Sequence, residues 1–305
     1  MSDFGIIGIG RIGTSMARNM SSNGIIVSLF DKSHNSLDNL KNDYPELESS
    51  LVFNDINKFI SSISKPRKVL VLVPSGPALD EVISLLIQYL DSNDILIDGG
   101  NTNPNVSFEN HQTIKSKNLL YLGMGVSGGV KGVLEGPSIM IGGDTNAFDQ
   151  VKNIFSQITS KTINGSKSFE FFGDSNQGHF VKMIHNGIEY VEMQLISSIY
   201  YLMINSKKYM YEDVSKIFKK WNDIDLNSYL LEISLLKLTE KTDDSYLLDR
   251  IDDKADDNGT GRWMLKHAID LGCSVSMLNS AIDSRFISNN NNTRSKANKL
   301  IIEEK

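Results

Sequence analysis

Through the first half of the chain, short runs of apolar and β-branched residues alternate with segments whose apolar positions recur every three or four residues. The runs at 4–9, 25–30, 68–73, 94–98, 119–123 and 138–141 read as strands. Several, such as Val69-Leu-Val-Leu-Val73, are apolar without interruption, as strands are when helices cover both faces of their sheet. Between them, segments such as 79–90 carry helical spacing. This alternation predicts a parallel, doubly wound α/β sheet of the Rossmann type. From about residue 175 the strand signals stop, and helical patterns run on to about Lys299. The boundary is placed near Asn176, giving an α/β domain at 1–176 and an all-α domain at 177–305. No internal repeat interrupts either half, and the asparagine patch at 289–292 reads as a surface feature.

Composition narrows the class. A length of 305 residues suits two domains, and 40% apolar with 22% charged residues excludes a disordered or collagen-like chain. Lysine and arginine number 31 against 37 acidic residues, for a formal net charge of −6. That balance removes any global argument for a nucleic-acid or anionic-membrane partner. The single cysteine, Cys273, excludes an intrachain disulfide and reads as a small buried residue. The N-terminus lacks the basic region of a signal peptide, and the apolar runs are strand-sized, so a cytoplasmic location is expected.

Gly8-Ile-Gly10-Arg-Ile-Gly13 follows the first strand and opens a helical segment. Such glycines permit a tight turn, close approach of backbone to a pyrophosphate, and close helix–strand packing. The phosphates would face the N-terminus of a helix. Alone the motif is weak; its context, with Asp31 closing the next strand 18 residues after Gly13, is what a dinucleotide site requires. A carboxylate at Asp31 accepts hydrogen bonds from ribose hydroxyls and repels a 2′-phosphate, which predicts NAD over NADP. Lys32 beside it softens that repulsion. Eight of the 23 glycines fall within residues 123–143, where they permit strained turns or leave N–H groups open to a ligand. Ser127-Gly-Gly129 suits a small anion, and Asp98-Gly-Gly-Asn101 puts an amide at the C-terminal edge of a strand, where open sheets bind ligands. Glycine needed only for tight turns explains either segment equally well.

The segment Gly178-His-Phe-Val-Lys-Met-Ile-His-Asn-Gly-Ile-Glu-Tyr190 is the most informative. On a helix, Lys182, His185, Asn186 and Glu189 share one face, while Val181, Ile184, Ile188, Val191 and Leu195 lie broadly opposite. The polar line runs on into Met193, Ile196 and Tyr200, so the helix is expected to be buried nearly all round and the quartet to line a cleft. A lysine and a glutamate there are candidate base and acid. His179 and His185 are six apart, poor spacing for a shared metal, and no metal site is expected.

Together, Gly8–Gly13, Asp98-Gly-Gly-Asn-Thr102, Gly125-Val-Ser-Gly-Gly129, Gly136-Pro-Ser138, the 178–190 segment and Gly259-Thr-Gly-Arg-Trp263 resemble the 6-phosphogluconate dehydrogenases of the β-hydroxyacid dehydrogenase superfamily, and in particular their short, NAD-preferring form. The resemblance implies oxidative decarboxylation of 6-phosphogluconate to ribulose 5-phosphate. It implies Lys182 as general base and Glu189 as general acid. Asn101, Ser127, Gly128, Gly129, His185 and Asn186 would position the substrate, and Tyr190, Arg262 and Arg285 would hold its phosphate. The cofactor set is Gly8, Gly10, Arg11, Ile12, Gly13, Asp31, Lys32, Val73 and Asn101. Many relatives carry lysine at the position of Arg262. NADP-using relatives carry Asn-Arg-Thr in place of Asp31-Lys-Ser33 and lysine in place of Pro74. A homodimer or homotetramer is expected, built on the apolar stretches 199–203 and 230–238. Rival readings are a dehydrogenase of the 3-hydroxyisobutyrate type and a catalytically silent nucleotide-binding protein.

Overall fold

The computed structural model describes residues 1–33, 37 and 40–303. The chain divides into two compact units, Met1–Met183 and Ile184–Lys305. In the first unit the chain runs β1 (Phe4–Ile7), α1 (Arg11–Ser22), β2 (Val27–Phe30), β3 (Leu51–Phe53), α2 (Ile56–Ser61), β4 (Lys68–Val71), α3 (Pro77–Leu86) and β5 (Ile95–Asp98). It continues through α4 (Pro104–Lys115), β6 (Leu120–Ser127), α5 (Gly129–Glu135), β7 (Ser138–Gly143), α6 (Thr145–Ile158) and β8 (Phe169–Phe171) into α7 (Gln177–Asn205), the helix within which the first unit ends and the second begins.

All eight strands form one sheet in the order β3-β2-β1-β4-β5-β6-β7-β8. The first six are parallel, β7 is antiparallel to β6, and β8 is parallel to β7. The expected parallel, doubly wound sheet forms, with one antiparallel neighbour pair, β6 and β7, toward its far end. Only residues 128–137 separate β6 from β7, too short a link for the crossover of about a dozen residues that a parallel return needs. The three-residue strands β3 and β8 were not anticipated; they edge the sheet and are too short to show a period.

Both faces of the sheet are covered. Along β4, Leu70 points into a cluster with Phe4, Met16, Leu29 and Phe155. Its neighbours Val69 and Val71 point into a second cluster with Phe59, Leu86 and Tyr121. This two-sided burial is why the strand sequences are continuous rather than alternating. Asn19 of α1, itself buried, donates to the carbonyls of Val133 (2.8 Å) and Ile158 (2.9 Å), closing the ends of α5 and α6.

The second unit holds the rest of α7, then α8 (Tyr211–Asn222), α9 (Tyr229–Leu238), α10 (Thr260–Asp270), α11 (Ser276–Asn289) and α12 (Asn291–Glu303). One hairpin, Lys241–Thr242 with Ser245–Tyr246, interrupts the helices. Its turn places both Asp243 and Asp244 at positive φ, the twist a two-residue hairpin loop favours. Two small buried clusters, around Tyr190 and Leu278 and around Phe218 and Leu231, are the core.

Two expectations fail here. Cys273 is exposed, because the chain turns outward after α10 through Gly272, which sits at φ +67. Helix α7 is not buried all round: Ile188, Leu195, Tyr201 and Leu202 are exposed. No helix among the described residues is long and apolar enough to cross a membrane.

Candidate active site

The glycine turn after β1 divides by function. A Cβ on Gly8, at φ +93, would lie 2.5 Å from the Leu72 carbonyl oxygen, and one on Gly13 would strike the Gly8 carbonyl. Those two positions are set by packing. A Cβ on Gly10 would meet nothing within 4 Å, so the space above it is open. Helix α1 starts at Arg11 with no side-chain cap and no acidic residue in its first turn, leaving its dipole uncompensated toward that space. The residues fit a dinucleotide's phosphates. Asp31 accepts from the Ile9 N–H (2.8 Å) and the Ser33 N–H (2.8 Å), which fixes its carboxylate beside the turn. Lys32 pairs with Glu81, away from Asp31.

The loops after β4 and β5 lie alongside. The side chain of Val73 flanks Gly8, and the carbonyl of Val73 sits 3.1 Å from where a Cβ on Gly100 would stand. Asn101 follows at the exposed edge. Beneath it runs a buried polar chain that sequence reasoning missed. Asp98 accepts from the Tyr121 hydroxyl (3.4 Å), Tyr121 meets Ser107 (3.0 Å), and Ser107 meets Nδ1 of His179 (2.8 Å). Nε2 of His179 lies 4.0 Å from Asp98, closing the ring. Burial pushes the Tyr121 hydroxyl up and the His179 imidazole down in pKa, although Asp98 pulls the latter upward, so both are neutral. His179 stands one turn before Lys182, so this network fixes the start of α7 to the loop that bears Asn101. Asp98 and His179 both stand in motifs that the sequence singles out, but a four-residue contact across the sheet has no sequence period.

Three glycines of the 123–143 cluster, Gly123, Gly125 and Gly142, seat α7. A Cβ on Gly123 would meet Nδ1 of His179 at 2.8 Å and Oγ of Ser107 at 2.9 Å. On Gly125 it would collide with Cβ of Lys182 and lie 2.8 Å from its Cγ, and on Gly142 it would lie 2.9 Å from the Gln177 nitrogen. Helix and strands approach so closely because Gly178 answers them from the other side, with Met140 O at 2.8 Å. Lys182 is thereby buried against β6, only 8% exposed. Gly128 (φ +134) and Gly129 (φ +59) do adopt backbone only glycine takes readily, and they turn the chain from Ser127 into α5.

On α7 within the second unit, Asn186 is buried and His185 and Glu189 are half-buried, with Nδ1 of His185 3.3 Å from Oε2 of Glu189. Met193, Ile196 and Tyr200 line an apolar groove of about 610 Å³. Helices α7 and α10 pack through glycines: a Cβ on Gly261 would lie 2.8 Å from the Tyr190 ring, and one on Gly187 would overlap Met264. This closeness gathers the three residues expected around a phosphate. The Arg285 guanidinium lies 4.0 Å above the Tyr190 ring. Tyr190 donates to Asp257 (2.8 Å) and approaches Oδ1 of Asn258 (3.1 Å). Arg262 pairs with Asp257, Nε to Oδ2 2.6 Å. Burial raises the Asp257 carboxyl, but the Gly259 N–H, Tyr190 and Arg262 prevail and hold it below the usual range. Among the described residues no group of three or more His, Cys, Asp or Glu is placed to hold a metal ion.

These features define a Rossmann-type dinucleotide-binding unit joined through one helix to a helical unit. Residues 3–166 match the model of the NAD binding domain of 6-phosphogluconate dehydrogenase, and residues 178–305 match that of the 6-phosphogluconate dehydrogenase C-terminal domain. The decarboxylating 6-phosphogluconate dehydrogenase of Staphylococcus epidermidis is 37% identical over 97% of this chain and 64% of its own length. The Saccharomyces cerevisiae enzyme 1 is 36% identical over 98% and 61%. A solved Plasmodium falciparum 6-phosphogluconate dehydrogenase, described apo and in complexes with NADP+ and with 6-phosphogluconate, superposes with a TM-score of 0.92 at 36% identity, covering 98% of this chain and 64% of that one. A 3-hydroxyisobutyrate dehydrogenase from Mycobacterium tuberculosis, at 16% identity and TM-score 0.70, shares the fold. The chain belongs to the 6-phosphogluconate dehydrogenase family. It spans under two thirds of the length of these family relatives.

Proposed function

We propose that the chain oxidatively decarboxylates 6-phosphogluconate to ribulose 5-phosphate and CO2, with NAD preferred over NADP. The observation that carries this reading is Lys182, a lysine buried against Gly125 on the helix that presents Glu189 two turns later. Family membership supplies the substrate class, and relatives at 36–37% identity bear that activity in their names. A nicotinamide cofactor, when bound, would supply the acceptor for the hydride that leaves C3. Lys182 takes the proton of the C3 hydroxyl and, once protonated, stabilises the oxygen as the 3-keto acid loses CO2. Glu189 returns a proton to C1 of the enediol. Asn101, Ser127, Gly128, Gly129, His185 and Asn186 position the sugar acid, and Tyr190, Arg262 and Arg285 hold its phosphate. Gly8, Gly10, Arg11, Ile12, Gly13, Asp31, Lys32, Val73 and Asn101 hold the cofactor.

The NAD preference rests on Asp31, held beside the turn by two backbone N–H groups, and on Lys32, whose charge is directed to Glu81. A 2′-phosphate would meet the carboxylate without help from that lysine. The exposed apolar residues Tyr201, Leu202, Tyr229 and Leu236 support self-association as a homodimer or homotetramer. The test is turnover of 6-phosphogluconate by the purified chain with each cofactor, following reduced cofactor and CO2. Lys182→Met should abolish reduction, and Glu189→Gln should slow the later protonation more than hydride transfer. No turnover with either cofactor refutes the reading.

A further inference from the structure

The cluster around Tyr190 contains an anion where the proposed phosphate site calls for cations. Asp257 has a side chain only 9% exposed. One of its oxygens accepts from the Tyr190 hydroxyl at 2.8 Å and from the Gly259 N–H at 2.7 Å. The other lies 2.6 Å from Nε of Arg262 without hydrogen-bond geometry, so that contact is mainly charge. Arg285 stacks on Tyr190 and sends Nη1 to the Asp256 carbonyl at 2.5 Å. Each of the three groups proposed to grip a phosphate thus already has a partner, and Asp257 is the shared partner of two.

The consequences are electrostatic. A tyrosine hydroxyl has one hydrogen, and while Asp257 accepts it no phosphate oxygen can. Two guanidinium charges less one carboxylate leave about half the positive charge that Arg262 and Arg285 would offer alone. A phosphate carries about −1.5 to −2 charge, so a carboxylate in contact with its ligands opposes it directly. Burial and the Gly259 N–H also keep Asp257 from swinging away.

We propose that Asp257 is a specificity-determining residue that weakens the site's preference for a phosphorylated sugar acid over the same acid without its phosphate. The inference rests on the reading given under Proposed function. A purely local role exists beside it: Asp257 and Asn258 turn the chain into α10 through the Gly259 and Thr260 N–H groups. Asparagine at 257 keeps an oxygen for Gly259 and Tyr190, removes the charge, and turns an amide NH2, a donor, toward Arg262. Serine keeps a capping oxygen by a different route.

The experiment measures equilibrium binding of 6-phosphogluconate and of gluconate to the full chain and to Asp257→Asn and Asp257→Ser, with the melting temperature of each. Both variants should bind 6-phosphogluconate about tenfold more tightly, leave gluconate within twofold, and melt near the parent. Unchanged or weaker 6-phosphogluconate binding, an equal shift for both ligands, or no binding of either ligand to any of the proteins overturns the proposal. Turnover separates the two claims. An active parent whose variants show no altered selectivity refutes the role of Asp257 alone, whereas an inactive parent that nevertheless shows the selectivity change refutes the activity and spares the residue.

Discussion

Replacing Gly125 by alanine tests how Lys182 is placed. The new methyl would overlap the Cβ of Lys182 and stand 2.8 Å from its Cγ, where ordinary contact begins near 3.4 Å. Neither atom is the far end of a flexible side chain, so the first turns of α7 must retreat by about one ångström to restore ordinary contact. They are held by the Gly178 approach to Met140 and by His179 in its buried network. Overpacking of this kind costs about 1–3 kcal/mol. The smaller unfolded-state entropy of alanine returns about 0.4–1 kcal/mol, so the clash wins by roughly 1–2 kcal/mol. In a unit of 183 residues that corresponds to a fall in melting temperature of about 2–8 °C. Displacing Lys182, the proposed base, by up to about an ångström should lower kcat by roughly tenfold to a hundredfold. Cofactor affinity, which the proposed function assigns to the Gly8–Gly13 turn, should hardly change. Thermal melts, steady-state kinetics and cofactor titration on one preparation give all three quantities. A Gly125→Ala protein with parental kcat and melting temperature refutes the claim that strand glycines seat the lysine.

Four further outcomes are expected. Asp31→Asn should raise the NADP-to-NAD ratio of kcat/KM at least tenfold, because it removes the charge that opposes a 2′-phosphate; an unchanged ratio removes Asp31 from cofactor choice. Ser107→Ala removes the buried partner of His179 Nδ1 and one of the two partners of the Tyr121 hydroxyl, which keeps Asp98, and should cost about 1–3 kcal/mol in urea unfolding. Hydrogen bonds and charge from Lys65 and Arg67 lower the Asp91 carboxyl from 3.8 to about 2. Its stabilising contribution is complete above about pH 4 and fades as pH falls toward 2, so Asp91→Asn should flatten that acid limb, and an identical pH profile would remove it. Tyr201→Glu with Leu202→Glu should weaken the proposed self-association when both proteins are compared by sedimentation; identical sedimentation of parent and variant removes this face as the interface.

Much of the molecule was readable from local sequence. Each of the six anticipated strands formed, because continuous burial on two faces selects uninterrupted apolar runs, and the Gly8–Gly13 turn stands where its context put it. The Lys182 to Glu189 spacing likewise lies on one continuous helix. These are short-range properties, written in periods of two or 3.6 residues and in single glycines.

What tertiary structure alone decided are contacts between residues far apart in the chain. The glycines at 123, 125 and 142, open to being read as a ligand cradle, instead let α7 lie against β6 and β7. Periodicity identified two faces of α7 but not their fates, and Lys182 and Asn186 are buried while Ile188 and Leu195 are exposed. The antiparallel turn at β7 followed from the length of one link rather than from any strand's composition. No local pattern marks Asp257, 67 residues from Tyr190 in the chain, and only folding sets it between a tyrosine and an arginine. Local sequence determines what each segment can bury; only the packed chain determines which partner it is buried against, and charge at a site belongs to that pairing.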